Sequence, residues 1–342
     1  MKAILAKSYI SGSVIPPPSK SYTIRSVIAA GLAKGKSTIQ NPLLSDDTLA
    51  AIGTLKNLGI PINLEEKGLI VEGGEPSPSG FILDCRDSAA TLRFMTAVCS
   101  ALPGVSRLLA GPSLAKRPIK PLLDALNKMG ADTWLEGDTV VVKGQALNGG
   151  SYELANDDSS QFVSALLLVS PMVNNGVDLK LAKPIRSNPY IEMTLEVLKQ
   201  FGIEVESNNN FTSFYVAPQR YQPASVKIEA DWSSASYLVA LGALCGEINI
   251  AGLNLLSLQG DRAIVSLLQE MGTFVKPDKH CITVKQSTLK AISADISQCI
   301  DLLPTIAICA ANAKGISRLS GISKARFKES NRVEALCHGF KR

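Results

Sequence analysis

The sequence predicts an α/β protein assembled from copies of one unit, and three observations carry that expectation. Four segments echo one another, each a helix end closed by glycine: Leu55 to Gly59, Leu126 to Gly130, Leu198 to Gly202 and Leu268 to Gly272. The glycines recur at 59, 130, 202 and 272, an almost fixed period, and such self-similarity marks a chain built from a repeated supersecondary unit. After each glycine come a short strand, a polar turn and a second strand, the latter expected over 69–72, 139–143, 213–217 and 281–285. The third observation is size: 342 residues, 46% hydrophobic and 19% charged, suffice for two cores rather than one.

The elements follow in order. Pro16-Pro17-Pro18 forces an extended approach, and Ser19 caps a helix running to Ala33, where Gly35 stops it. Ser21 and Arg25 share a face of its first turns, and Lys20 stands at the entrance, where free N–H groups and the helix dipole favour an anion. The run from Gly31 to Ser37 imitates a phosphate loop, but its glycine is misplaced and it follows a helix, not a strand. The stretch 73–80, rich in Gly, Pro and Ser, reads as a turn inside a unit rather than a hinge.

Further helix starts carry polar groups: Asp87-Ser88-Ala89-Ala90 with Arg93, Lys116-Arg117-Pro118 with Pro118 at the first position, Asp158-Ser159-Ser160-Gln161, and Arg186-Ser187-Asn188-Pro189-Tyr190. The series continues with Asp231-Trp232-Ser233-Ser234, Gln259-Gly260-Asp261-Arg262, Asp301 before Pro304, and Arg326-Phe327-Lys328-Glu329-Ser330-Asn331-Arg332. Serine and aspartate at such places are ordinary caps. Caps need no arginine or lysine beside them, whereas phosphate and carboxylate ligands do. Asp301 in an apolar run calls for a partner or a function, and Lys328 and Arg332 form an i, i+4 basic pair on a helix expected over 329–340. A carboxylate beside lysines is an acid–base candidate; the alternative is a surface ion-pair cluster.

Composition excludes several classes. Net charge is +5 and only 5% of residues are aromatic, which argues against nucleic acid. Two histidines, His280 and His338, make a histidine metal site or triad a poor reading, and no metal or organic cofactor is expected. The seven cysteines lack paired spacing and read as reduced core residues of a cytoplasmic protein. No signal peptide and no membrane-length apolar run is read in the sequence, and a monomer is expected.

The motifs Pro17-Pro18-Ser19-Lys20-Ser21 with Arg25, Arg117-Pro118-Ile119, Ser159-Ser160-Gln161-Phe162, Ser187-Asn188-Pro189-Tyr190-Ile191 and Arg326 to Arg332 occur in order from 10 to 340. In this set the chain resembles the 5-enolpyruvylshikimate-3-phosphate synthase family. The resemblance implies transfer of the enolpyruvyl group of phosphoenolpyruvate to the 5-hydroxyl of shikimate 3-phosphate. It implies an inside-out α/β barrel in two domains, 1–18 with 230–342 and 19–229, whose helix N-termini face a cleft that closes on the substrates. By the same resemblance Ser21, Arg25, Ser159, Ser160, Ser187 and Tyr190 would hold shikimate 3-phosphate, and Lys20, Asp87, Ala89, Arg117, Gln161 and Arg332 would hold phosphoenolpyruvate. Asp301 would orient or deprotonate the hydroxyl, Glu329 would protonate the methylene carbon, and Lys20 and Lys328 would stabilise charge; the split of proton steps among Asp301, Lys328 and Glu329 stays open.

Three departures from the family pattern stand out. Ala89 occupies a usual glycine position and is expected to crowd glyphosate, a bulkier occupant of the phosphoenolpyruvate site. Lys324 replaces a neutral residue and is expected to add a cation near shikimate 3-phosphate. The period places a fifth glycine near 343, so the sequence is expected to be cut inside its last unit, and the family's later basic residues on phosphoenolpyruvate are missing. Two alternatives remain: a UDP-N-acetylglucosamine enolpyruvyl transferase, disfavoured because 110–116 lacks the sister enzyme's cysteine, or a truncated chain that binds shikimate 3-phosphate without turnover.

Overall fold

Strand β1 (Ile10–Val14) ends before Pro16–Pro18, residues that cannot donate to a ladder. Helix α1 (Lys20–Leu32) starts at once: Ser19 is extended and its hydroxyl accepts from the Tyr22 N–H at 3.5 Å. Gly31 lies inside α1, so no phosphate loop forms there. The computed structural model describes residues 8–78, 80–154 and 159–341, and the chain divides into two units, Pro18–Ile228 and Met1–Pro17 with Glu229–Arg342.

In the Pro18–Ile228 unit the chain continues through β2 (Gly35–Gln40), α2 (Asp46–Asn57), β3 (Ile62–Glu65) and β4 (Gly68–Gly73). A second repeat comprises β5 (Ile82–Asp84), α3 (Ala89–Ser100), β6 (Gly104–Leu109), α4 (Lys120–Lys128), β7 (Asp132–Glu136) and β8 (Thr139–Gly144). The third is β9 (Gly150–Leu154), α5 (Ser160–Val169), β10 (Val177–Leu181), α6 (Pro189–Gln200), β11 (Glu206–Ser207) and β12 (Ser213–Val216), followed by β13 (Ser225–Lys227). The stretch 73–80, of which residue 79 lies outside the described residues, comes between β4 and β5 in the sequence and so falls between two repeats rather than inside one. The other unit adds α7 (Trp232–Cys245), β14 (Gly246–Ala251), α8 (Ile264–Glu270), β15 (Phe274–Asp278) and β16 (Cys281–Lys285). Then come β17 (Ser293–Asp295), α9 (Leu303–Ala311), β18 (Arg318–Ser320) and α10 (Arg332–Phe340).

Four sheets share one order: β5-β6-β8-β7, β9-β10-β12-β11, β13-β2-β4-β3 and β1-β14-β16-β15. In each, the first two strands pair in parallel and the rest antiparallel, as a β-α-β crossover followed by a hairpin requires. Two repeats exchange their first strand. β1 pairs with β14, Ile10 opposite Gly246, while β13 returns to β2, Ser225 opposite Thr38. The repeats bury one helix each almost completely, and α1, α3 and α5 form the core of their unit. In the other unit α7 plays that part, with Trp232 fully buried among Ile250, Leu268 and Ile306.

The periodic glycines have a backbone reason: Gly59, Gly130, Gly202 and Gly272 follow helix ends at φ of +87°, +103°, +76° and +91°. Only glycine enters this region without a Cβ penalty. Gly59 has nothing within 4 Å of an added Cβ, so Gly59→Ala isolates that penalty. The expected cost is about 1 kcal/mol of unfolding free energy, read from denaturant midpoints.

Three sequence expectations are corrected. Pro118 does not open α4, which begins at Lys120 with Pro121 at its second position and Ile119 before it. The last helix begins at Arg332 rather than 329, because Asn331 accepts from the Glu334 N–H and caps it there. Not every cysteine is core: Cys85, Cys99, Cys299 and Cys309 are buried, but Cys337 is exposed on α10.

Candidate active site

In the Pro18–Ile228 unit, the N-termini of α1, α3, α5 and α6 carry the polar groups. Arg25 is 2% exposed and held from three sides. Its Nε donates to Thr194 Oγ1 at 2.8 Å, Nη1 to the Ser21 carbonyl at 3.0 Å and Nη2 to the Tyr190 carbonyl at 3.1 Å, with Phe94 5.1 Å beneath. Burial pulls this guanidinium down to about 10, so it stays cationic at neutral pH. Ser160, the first residue of α5, is buried and accepts from Ser187 Oγ at 3.2 Å. Ser187 stands at φ +78°, a strained conformation for serine, just before Asn188 and the Pro189 that opens α6. Ser159 caps α5 by accepting from the Gln161 N–H at 3.2 Å. Asp158 lies outside the described residues. Tyr190, in the first turn of α6, is half-buried.

A second set surrounds Gln161. Arg93 donates to Gln161 Oε1 and, at 2.8 Å, to the Pro118 carbonyl, and it lies 5.0 Å over the Phe162 ring. Burial first, then the neighbouring Arg117 charge, lower Arg93 to about 9. Two neighbouring guanidinium groups, one of them buried, repel one another, and an anion between them would relieve that repulsion. Ala89 opens α3 and is buried, and Ser88 caps that helix by accepting from Thr91 N–H at 3.4 Å. Asp87 instead braces a loop: its Oδ1 accepts from the Ser113 N–H and hydroxyl and from Leu114 N–H, which holds its carboxyl below the usual range, Ser113 hydroxyl first. Lys20 is half-exposed and 3.5 Å from Asp47.

The other unit holds the acid–base candidates. Asp301 lies in a 3-10 turn (Ile300–Leu302) just before α9, and two cations reach it: Arg332 Nη1 at 2.6 Å and Lys328 Nζ at 3.2 Å. Arg332 Nη2 also donates to Glu329 at 2.8 Å, so one guanidinium bridges both carboxylates. Burial lowers Arg332, but Asp301 and Glu329 outweigh it and leave it above its usual value. Lys328 is extended (φ −83°, ψ −160°), so the expected helical Lys328–Arg332 pair does not exist; the two meet at Asp301. Lys324 lies on the preceding 3-10 turn (Ser323–Phe327), in a different unit from Arg25, Ser160 and Ser187.

Two residues at the site went unassigned in sequence reasoning. Arg93 reads in the sequence only as a helix-start cation, and its contact with Gln161, 68 positions away, has no local signal. Thr194 sits one turn beyond Tyr190 and anchors Arg25. Among the described residues no group of three or more His, Cys, Asp or Glu side chains is arranged to hold a metal ion, and no helix is long and apolar enough to cross a membrane.

The four like sheets and their polar helix starts define the class first: the fold is that of the enolpyruvyl transferases. It matches EPSP synthase from Acinetobacter baumannii at a TM-score of 0.81, over 98% of this chain and 79% of that one, at 24% identity. It also matches the enolpyruvyl transferase NikO from Streptomyces tendae at 0.68, over 91% and 75%, at 20% identity. The chain belongs to the EPSP synthase family, described as EPSP synthase (3-phosphoshikimate 1-carboxyvinyltransferase), whose sequence model matches residues 4–342. Among its relatives, the 3-phosphoshikimate 1-carboxyvinyltransferase of Dehalococcoides mccartyi strain BAV1 is 44% identical over 99% of this chain and 81% of that protein. The one from Methanocorpusculum labreanum is 38% identical over 97% and 80%.

Proposed function

We propose that this chain transfers the enolpyruvyl group of phosphoenolpyruvate to the 5-hydroxyl of shikimate 3-phosphate, releasing inorganic phosphate. The observation that carries the chemistry is the convergence of Lys328 and Arg332 on Asp301, with Glu329 on the same guanidinium. A carboxylate held by two cations is fixed in place to take a hydroxyl proton, and a neighbouring carboxyl can deliver one to carbon. Protonation of the methylene carbon of phosphoenolpyruvate makes its neighbour electrophilic, and the hydroxyl oxygen attacks there as its proton passes to Asp301. A methyl proton then returns to Glu329 as the carbon–oxygen bond to phosphate breaks, and the phosphate leaves with the proton that Asp301 took. Glu329 supplies the methylene proton. When the substrate carboxylate engages Arg332, that guanidinium is drawn from its two carboxylates, which readies them for proton transfer. Lys20 and Lys328 stabilise the charge that develops.

Arg25, Ser21, Ser159, Ser160, Ser187 and Tyr190 hold shikimate 3-phosphate, and Lys324 adds a cation for it. Lys20, Arg117, Gln161 and Arg332 hold phosphoenolpyruvate, with Asp87 and Ala89 shaping its loop. Arg93 belongs with them as the group that fixes Gln161. The two units are taken as the family's two domains. We place the chain in the cytoplasm as a monomer, in keeping with its seven free cysteines.

The test offers phosphoenolpyruvate with shikimate 3-phosphate, and separately with UDP-N-acetylglucosamine, and measures phosphate release. Release with the first acceptor alone is expected; release with the second alone overturns the assignment. Binding of shikimate 3-phosphate without release would leave a binding chain only.

Ala89 gives a further expectation. Its methyl group stands at the start of α3 and is buried; on the proposed assignment a ligand longer than phosphoenolpyruvate would press against it. Ala89→Gly is expected to lower the glyphosate inhibition constant by about tenfold or more while the KM for phosphoenolpyruvate changes little, since one methyl contact is worth about 1–3 kcal/mol. An unchanged inhibition constant would remove Ala89 as the discriminating group.

A further inference from the structure

One buried acid is left without a role. Asp261 lies in a 3-10 turn (Gly260–Ala263) ahead of α8 and is 3% exposed. Its Oδ2 accepts from the Ser233 hydroxyl on the first turn of α7, while Oδ1 is buried with no hydrogen-bond partner. A charged carboxylate needs more donors than that away from water. The groups facing it come from every neighbouring element: Ser233 and Asp231 from the start of α7, Asp301 and Cys299 from the turn before α9, and Lys328 from the segment before α10. Burial, then the Asp301 charge, push Asp261 up to about 7; Ser233 and Lys328 pull the other way. Asp231 adds a further upward push, although its carboxyl is occupied in capping α7 at 2.7 Å from the Ser234 nitrogen.

We propose that Asp261 is a positioning residue of the transfer reaction that acts through Asp301: its charge sets how firmly Asp301 holds the proton taken from the acceptor hydroxyl. The proposal rests on Asp301 being the group that receives that proton. The coupling is Coulombic and mutual, since Asp301 acts on Asp261 and therefore Asp261 on Asp301. With Asp261 protonated, Asp301 keeps Lys328 to itself and is the weaker base. With Asp261 ionised, a second negative charge competes for Lys328 and makes Asp301 the stronger base. The proton balance is simple: the hydroxyl proton moves to Asp301, and Asp261 exchanges its own with solvent.

The test uses Asp261→Asn, which fixes the neutral form at the same volume, and Ser233→Ala, which removes the donor to Oδ2. The first readout is the unfolding midpoint against pH without substrates. A carboxyl raised from 3.8 to about 7 on folding binds more protons folded than unfolded across that window, so its contribution to stability falls as pH rises through it. The wild-type midpoint is expected to drop from pH 4.5 to 7.5 by more than that of Asp261→Asn. The second readout is kcat against pH. The wild type is expected to show a step rising through about 7, lost in Asp261→Asn with both KM values within about twofold, and moved to higher pH in Ser233→Ala. A structural role alone would lower activity without moving the step.

Equal pH dependence of stability in wild type and Asp261→Asn would overturn the proposal. So would a changed stability profile with an unchanged kcat profile, which would leave the transferase reading standing. Absence of turnover in the wild type would overturn that reading and the proposal together, and the substrate-free stability profile tells this case from the others. Should Asp261→Asn fail to fold, the direction of the Ser233→Ala shift decides.

Discussion

Asp301→Asn is expected to reduce kcat by about 10²–10⁴-fold, the usual worth of a positioned proton acceptor, while shikimate 3-phosphate still binds. The substitution keeps the shape of the side chain and removes the charge on which Arg332 (2.6 Å) and Lys328 (3.2 Å) converge. Both cations then lose a partner, and Arg332 falls back on Glu329 alone. A rise in the KM for phosphoenolpyruvate is expected with the fall in kcat, because the proposed assignment also gives Arg332 to that substrate. The residues assigned to shikimate 3-phosphate, Lys324 apart, lie in the other unit, so calorimetry with that ligand alone should give an affinity within a few-fold of wild type. Turnover within tenfold of wild type would remove Asp301 from the proton steps.

The second large effect concerns Arg25, where stability and function are expected to part. Burial is the main cause of its pull down to about 10, opposed only in part by Tyr190 and Tyr22, so holding this guanidinium away from water is costly. Against that stand three hydrogen bonds and the Phe94 contact, each hydrogen bond from a charged donor worth about 1.5–3 kcal/mol. Arg25→Met keeps much of the volume and relieves the burial cost, so the unfolding free energy should change by less than about 2 kcal/mol. Affinity for shikimate 3-phosphate should fall by about 10²–10³-fold, the penalty for losing one side of a buried charge-assisted contact. Wild-type affinity in that variant would make Arg25 a structural group.

Much of this was legible because it is local. Ser19, Ser88, Ser159 and Asp231 each accept from a backbone N–H two or three residues on, which a cap does whatever the rest of the fold does. The four periodic glycines announce themselves through a backbone angle that needs no tertiary partner. Where two local signals compete, reading goes astray. Pro118 and Pro121 are both credible helix openers, and α4 begins at Lys120 with Pro121 as its second residue. Asn331 with Glu334 is a cap in the sequence, and Lys328, Glu329 and Ser330 before it stay outside the helix.

Long-range convergence is the part no window contains. Asp301 was legible as an acid in need of a partner, yet Lys328 and Arg332 reach it from 27 and 31 residues away through an extended segment rather than a helix face. Arg93 meeting Gln161 and Asp261 turned inward beside Asp301 depend on how separate repeats pack. The exchange of β1 and β13 likewise joins residues more than 180 positions apart, and only the paired sheets reveal it.

The most direct measurement is nuclear magnetic resonance of the full chain with equimolar shikimate 3-phosphate and phosphoenolpyruvate, following phosphorus and vinyl protons together. The account predicts inorganic phosphate rising in step with a new pair of vinyl signals on a product that keeps its 3-phosphate, with Asp301→Asn showing neither on the same timescale. Phosphate without new vinyl signals would mean hydrolysis, and an undiminished rate in Asp301→Asn would mean that the Asp301, Lys328 and Arg332 cluster does not carry the reaction.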